Sequence, residues 1–82
     1  MYFDYTLFLA LTPVQQDQYV HSHGKLMAQR WHENYSIELY DLGSFYCEQW
    51  LEQECLQLPQ YRAFVAEECL ELYPPQRQLL HY

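Results

Sequence analysis

Three groups of side chains in this 82-residue chain have types that do chemistry. His21 and His23, with His32 further on, are of the kind that ligates transition metals. Cys47, Cys55 and Cys69 could supply a thiolate nucleophile, and Glu48, Glu52 and Glu54 a general acid and base. Spacing argues against each. Histidines at i and i+2 share a face on a strand, but a helix turns them apart by about 200°. His21 and His23 fall at the end of an expected helix, where facing the negative end of its dipole is the simpler role. Cysteine spacings of eight and fourteen match neither a disulfide framework nor a zinc pattern. An unpaired cysteine on an apolar face packs as a small hydrophobe. Acid–base work needs a cleft that shifts a pKa, and a chain this short has little room for one. Gly24 and Gly43 stand too far apart for a phosphate loop. The sequence therefore assigns no catalytic residue, no metal ligand and no cofactor.

What the chain does carry is acid and aromatic surface. Eleven Asp/Glu against four Lys/Arg give a formal net charge of −7, beside nine Tyr and two Trp. The acid is localised. Asp4 and Asp17 cancel Lys25 and Arg30, whereas the stretch 33–73 sets Glu33, Glu38, Asp41, Glu48, Glu52, Glu54, Glu67, Glu68 and Glu71 against Arg62 alone. Such a balance disfavours nucleic acid and anionic membranes as partners. It suits a basic protein partner steered by charge, and it equally keeps an aromatic-rich chain in solution. Half the residues are apolar, enough for a core, and more Tyr and Trp are present than one small core hides. No apolar run is long enough to span a membrane, the N-terminal stretch lacks the basic start of a signal peptide, and three reduced thiols fit a cytoplasmic protein.

The elements that must position these residues follow from local signals. Phe3, Leu7, Phe8 and Leu11 have helical spacing. Thr12-Pro13 starts a second helix as N-cap and first helical residue, running to about His23, with Gly24 as a left-handed stop. Gln16 lies one place beyond the capping-box position, so the cap and the proline carry that start. From Lys25 the period changes to two: Leu26, Ala28 and Arg30 alternate with Met27, Gln29 and Trp31. After a turn at 32–34, Tyr35, Ile37 and Leu39 alternate with Ser36, Glu38 and Tyr40. Asp41-Leu42-Gly43-Ser44 reads as a tight turn into a strand over 44–52, making a hairpin. Residues 45–58 also fit a helix, with Cys47, Leu51, Cys55 and Leu58 on one stripe. Pro59 interrupts either element, and 60–64 reads as an edge strand or a helix opening. Ala66–Tyr73 forms a short helix ended by Pro74-Pro75, and 74–82 is a C-terminal tail of a single domain.

The run Leu11-Thr12-Pro13-Val14-Gln15-Gln16, then Tyr19-Val20, His23-Gly24 and Arg30, followed by the stretch Ile37–Glu48 and Phe64, resembles a group of small uncharacterised bacterial proteins. Their shared pattern is a helix and glycine followed by L-Y-x-L-x-x-F-Y-V-E, with Cys47 here in place of the valine. The resemblance implies the order helix, β-meander, helix. It implies no site.

The expected fold is α+β: N-terminal helices, an antiparallel meander of three or four strands and a short C-terminal helix, with an all-α bundle as the alternative. The expected function is a non-enzymatic protein-interaction module, the profile of antitoxins, immunity proteins and small inhibitors. It would present Tyr35, Tyr40, Tyr46 and Trp50 beside Glu38, Glu48 and Glu52 to a basic or amphipathic protein partner. The alternatives are a self-associating structural protein, with the same aromatic face as a homodimer contact, and a small thiol or metal enzyme.

Overall fold

Thr12 and Pro13 open the longest helix as the sequence dictates, but the cap is fuller than expected. The computed structural model describes residues 4–54 and 58–73. In helix α2 (Pro13–His23), Gln15 N–H donates to Thr12 Oγ1 and Thr12 N–H donates to Gln15 Oε1, so a complete capping box closes on Gln15. Gln16 is used differently: its side-chain amide donates to the Phe8 carbonyl and ties α2 to the preceding helix α1 (Tyr5–Leu9). Asp4 caps α1 by accepting from Leu7 N–H.

Gly24 ends α2 for a reason other than the expected left-handed turn. Its backbone is extended, at φ −79° and ψ 144°. A Cβ there would lie 2.6 Å from the Val20 carbonyl oxygen and 3.1 Å from the Tyr40 ring, so closeness of approach demands the glycine.

Four strands follow in sequence order as an antiparallel meander: β1 (Lys25–His32), β2 (Tyr35–Asp41), β3 (Tyr46–Glu52) and β4 (Gln60–Phe64). The all-α alternative is thereby excluded, residues 46–52 are strand and not helix, and 60–64 is the second edge strand. His32 pairs with Tyr35 around Glu33-Asn34, where Glu33 takes φ +54°. Gly43 takes φ +96° in the next turn, and its N–H donates to the Asp41 carboxylate. The alternation expected in β1 is broken once: the register shifts between Leu26 and Ala28, a bulge at Met27.

Period-two geometry sorts the sheet into two faces. One carries Tyr40, Cys47, Tyr61 and Ala63, and α1 and α2 cover it with Phe8 and Val20, which close a core with Leu42 and Phe45. The Phe8 and Phe45 rings lie 5.4 Å apart. The other face carries Ala28, Leu39, Tyr46 and Phe64, against which Tyr73 packs at the end of α3 (Ala66–Leu72). The expectations for the tail 74–82, for Phe3, for Cys55 and for the side chains of Cys69 and Leu70 lie outside the described residues.

Candidate functional site

Glu48 stands on the Tyr73 face with no solvent exposure at all. Its place in β3 comes from strand alternation, and its enclosure comes from two residues far off in the chain. Arg30 Nη2 donates to Oε2 at 3.0 Å and Tyr73 Oη donates to the same oxygen at 2.5 Å. Trp50 Nε1 donates to Oε1 at 2.9 Å, so both carboxylate oxygens are engaged. Arg30 also donates through Nε to Tyr73 Oη at 3.1 Å, and its guanidinium lies over the Trp50 and Tyr73 rings.

This arrangement keeps the carboxyl ionised. Burial pushes the Glu48 pKa up, but the hydrogen bonds from Tyr73, Trp50 and Arg30, with the Arg30 charge, hold it below its ordinary value. Tyr73 is pushed up to about 12, first by burial and then by donating to Glu48. Three donors on a carboxylate with about four acceptor sites, in a place without solvent exposure, make this an anchored structural ion pair. The cluster ties β1, β3 and the end of α3 together.

The exposed chemistry lies at the end of the sheet around the β1–β2 turn. On one face Trp31, Ser36 and Leu51 stand in one cross-strand row. Trp31 is 60% exposed and Leu51 39%. On the other face the Tyr35 ring meets Trp50 edge-on at 5.3 Å, and His32 meets Trp50 at 6.0 Å. Glu33, Glu52 and Glu54 are exposed at the same end, and Arg30, the nearest cation along β1, is committed to Glu48. His32 Nε2 lies 3.9 Å from the Glu33 carboxylate. The result is an acidic rim around exposed and half-buried rings.

No family model, curated protein or solved structure matches the chain. The resemblance to small bacterial proteins therefore rests on the residues of this sequence alone.

Of the seven residues expected to form one contact surface, the sheet brings Tyr35, Trp50 and Glu52 together at this tip. Glu38 and Tyr40 lie on the opposite face, joined by a 2.7 Å hydrogen bond from the tyrosine. Tyr46 packs near Phe64 and Leu39 at the other end of β3. Glu48 is interior, so it is an anchor and not a contact residue. None of the four expected aromatics is fully exposed, and they do not make a single patch. The sequence places Trp31 in an alternation and Leu51 on an alternation or a helical stripe, and neither in the expected contact surface. A cross-strand row needs the register, which the sequence withholds.

The histidines are dispersed. His21 Nδ1 lies 2.8 Å from the Asp17 carbonyl oxygen, His23 stacks on Tyr19 at 4.4 Å, and His32 is at the far end of β1. Among the described residues no group of three or more His, Cys, Asp and Glu is placed to hold a metal ion. Cys47 is buried and its thiol is pushed up to about 12, chiefly by burial, with the Glu48 charge adding to it against a backbone hydrogen bond. Among the described residues no helix is long and apolar enough to cross a membrane.

Proposed function

We propose that the protein is a small interaction module whose contact surface wraps around the tip of the sheet, from Trp31 and Leu51 on one face to Tyr35 and Trp50 on the other, with Glu33, Glu52 and Glu54 along the rim. The partner is a basic or amphipathic protein segment. One observation carries this reading: Trp31 and Leu51 stand exposed in one cross-strand row beside Glu52 and Glu54, which meet no Lys or Arg among the described residues. Large rings with one dry side and one wet side, next to charge, are the composition of protein contact surfaces. The Arg30–Glu48 cluster supports the reading by fixing Trp50 from its neighbouring positions on the same face, since its indole N–H is held at 2.9 Å.

The test is a photo-crosslinking residue at position 51, with position 71 on α3 as control. The expected result is a discrete heavier product from position 51 only. With the partner so identified, Glu52→Lys together with Glu54→Lys slows association at low salt and flattens its salt dependence. No product heavier than the chain itself or its dimer from position 51, or unchanged association after both reversals, sinks the reading.

A further inference from the structure

β1 is an end strand of the sheet, and its hydrogen-bonding pattern shows which backbone groups face outward. Asn34 carbonyl accepts from Gln53 N–H, and Leu42 N–H donates to Phe45 carbonyl. Even-numbered residues of β2 therefore bond toward β3, and Tyr35, Ile37 and Leu39 bond toward their partners His32, Arg30 and Ala28 in β1. Gln29 and Trp31, between those partners, turn their N–H and C=O groups away from β2. Among the described residues no strand meets them. The other edge, β4, is shorter and lies beside α1 and α2.

We propose that β1 is a self-pairing edge: a second copy of this chain adds its own β1 antiparallel, across a two-fold axis at Gln29. An open edge alone is common and would not carry this. Two features specific to β1 do. The first is apolar symmetry. Met27 and Trp31 lie two residues on either side of Gln29, are 47% and 60% exposed, and meet each other's counterparts twice when the strands run antiparallel about Gln29. The second is charge. β1 begins at Lys25 and runs into Glu33, both exposed. Antiparallel pairing brings the Lys25 end of one copy beside the Glu33 turn of the other, twice over. Parallel pairing would bring like ends together. The bulge at Met27 leaves a regular ladder only over 28–30 about the axis, with Met27 and Trp31 packing at its two ends, so the contact is a short and reversible one. It shares Trp31 and Glu33 with the contact surface proposed above and leaves Tyr35, Trp50, Leu51 and Glu52 uncovered, so the two are tested at different positions.

The experiment is sedimentation of the full chain across the micromolar range at physiological salt, which screens the like net charge of the two copies. The expected result is a monomer–dimer equilibrium. Lys25→Glu and Glu33→Lys each weaken it by about tenfold, and the double exchange restores it. Amide exchange at Gln29 and Trp31 slows as concentration rises, a reading on the unaltered chain that no folding defect can confuse. A strict monomer through the high micromolar range overturns the proposal. So does a dimer indifferent to both reversals, or one whose Gln29 and Trp31 amides exchange as fast as in dilute solution. Because the tip test uses positions 51, 52 and 54, either proposal can fail alone.

Discussion

Arg30 Nη2 donates to Glu48 Oε2 at 3.0 Å, reaching from β1 across β2 to β3. The carboxylate has no exposure, while the arginine keeps 34% of its side chain in water. Removing the carboxylate leaves a partly solvated cation; removing the cation leaves a buried anion with only Tyr73 and Trp50 for company. The costs should therefore be unequal. Arg30→Met is expected to lose about 3 kcal/mol, toward the range for breaking buried pairs, and Glu48→Gln about 2 kcal/mol. Urea denaturation of both variants checks the order. A larger loss for Glu48→Gln would show that Arg30 is the group whose enclosure matters.

The same cluster sets the acid limb of stability. The Glu48 carboxyl is held below its ordinary value in the folded chain, so the unfolded chain binds a proton more readily there. Its contribution is present above the ordinary carboxyl value and is lost as pH falls through the lower folded one. Glu48→Gln should flatten the urea midpoint below about pH 4.5 relative to the parent. A parallel decline in both proteins would remove Glu48 from the account.

At the alkaline end the sign reverses. Burial, then hydrogen bonds to carboxylates, raises Tyr40 and Tyr73 to about 12, and burial raises Cys47 to about 12. These groups stay protonated in the fold while the unfolded chain ionises. Stability is full below the ordinary thiol and phenol values and is lost as pH rises through about 12. The urea midpoint should fall between about pH 9 and 11. Alkylation of Cys47, followed by mass spectrometry, should track global unfolding over that range. Modification of Cys47 well before unfolding would contradict its enclosure.

The two glycines should fail for different reasons. Gly24→Ala places a methyl 2.6 Å from the Val20 carbonyl oxygen, a backbone atom that cannot swing aside, and about 2–3 kcal/mol of loss is expected. Gly43→Ala meets nothing within 4 Å but must hold φ at +96°, for about 1–2 kcal/mol. Gly43→Asn should recover part of that loss, because asparagine tolerates positive φ, whereas Gly24→Asn should be worse than Gly24→Ala. Partial recovery at both positions would mean that backbone conformation, and not contact, governs Gly24.

These contrasts show which parts of the fold were readable. The start of α2 is legible because Thr12 and Pro13 act on their immediate neighbours, and the alternation of 35–41 and 46–52 is legible because the pleat imposes it locally. Gly24 was placed correctly with the wrong cause, since the crowding comes partly from Tyr40 in another element. The burial of Glu48 was invisible. Two of its three donors are Arg30, 18 residues before it, and Tyr73, 25 residues after it. A glutamate between tyrosine, cysteine and tryptophan reads as an exposed stripe until the register supplies those partners. For the same reason the expected contact surface split between two faces, and only Tyr35, Trp50 and Glu52 remained together.

Gln49 supplies the last test. It is 8% exposed, lies between Glu38 and Tyr61 in the cross-strand register, and its Oε1 has no partner among the described residues. A desolvated acceptor without a donor costs the fold what water would have returned to it. Gln49→Leu keeps the volume and removes that cost, so the unfolding midpoint should rise, by about 1 kcal/mol in stability. Gln49→Glu should do the opposite strongly, since it adds a buried charge across the strand from Glu38. Calorimetry on the three proteins orders them Leu, Gln, Glu from most to least stable. If Gln49→Leu is instead destabilised by more than about 1 kcal/mol, Oε1 is satisfied in solution by a donor from water or a bound group, and this position becomes a place to look for one.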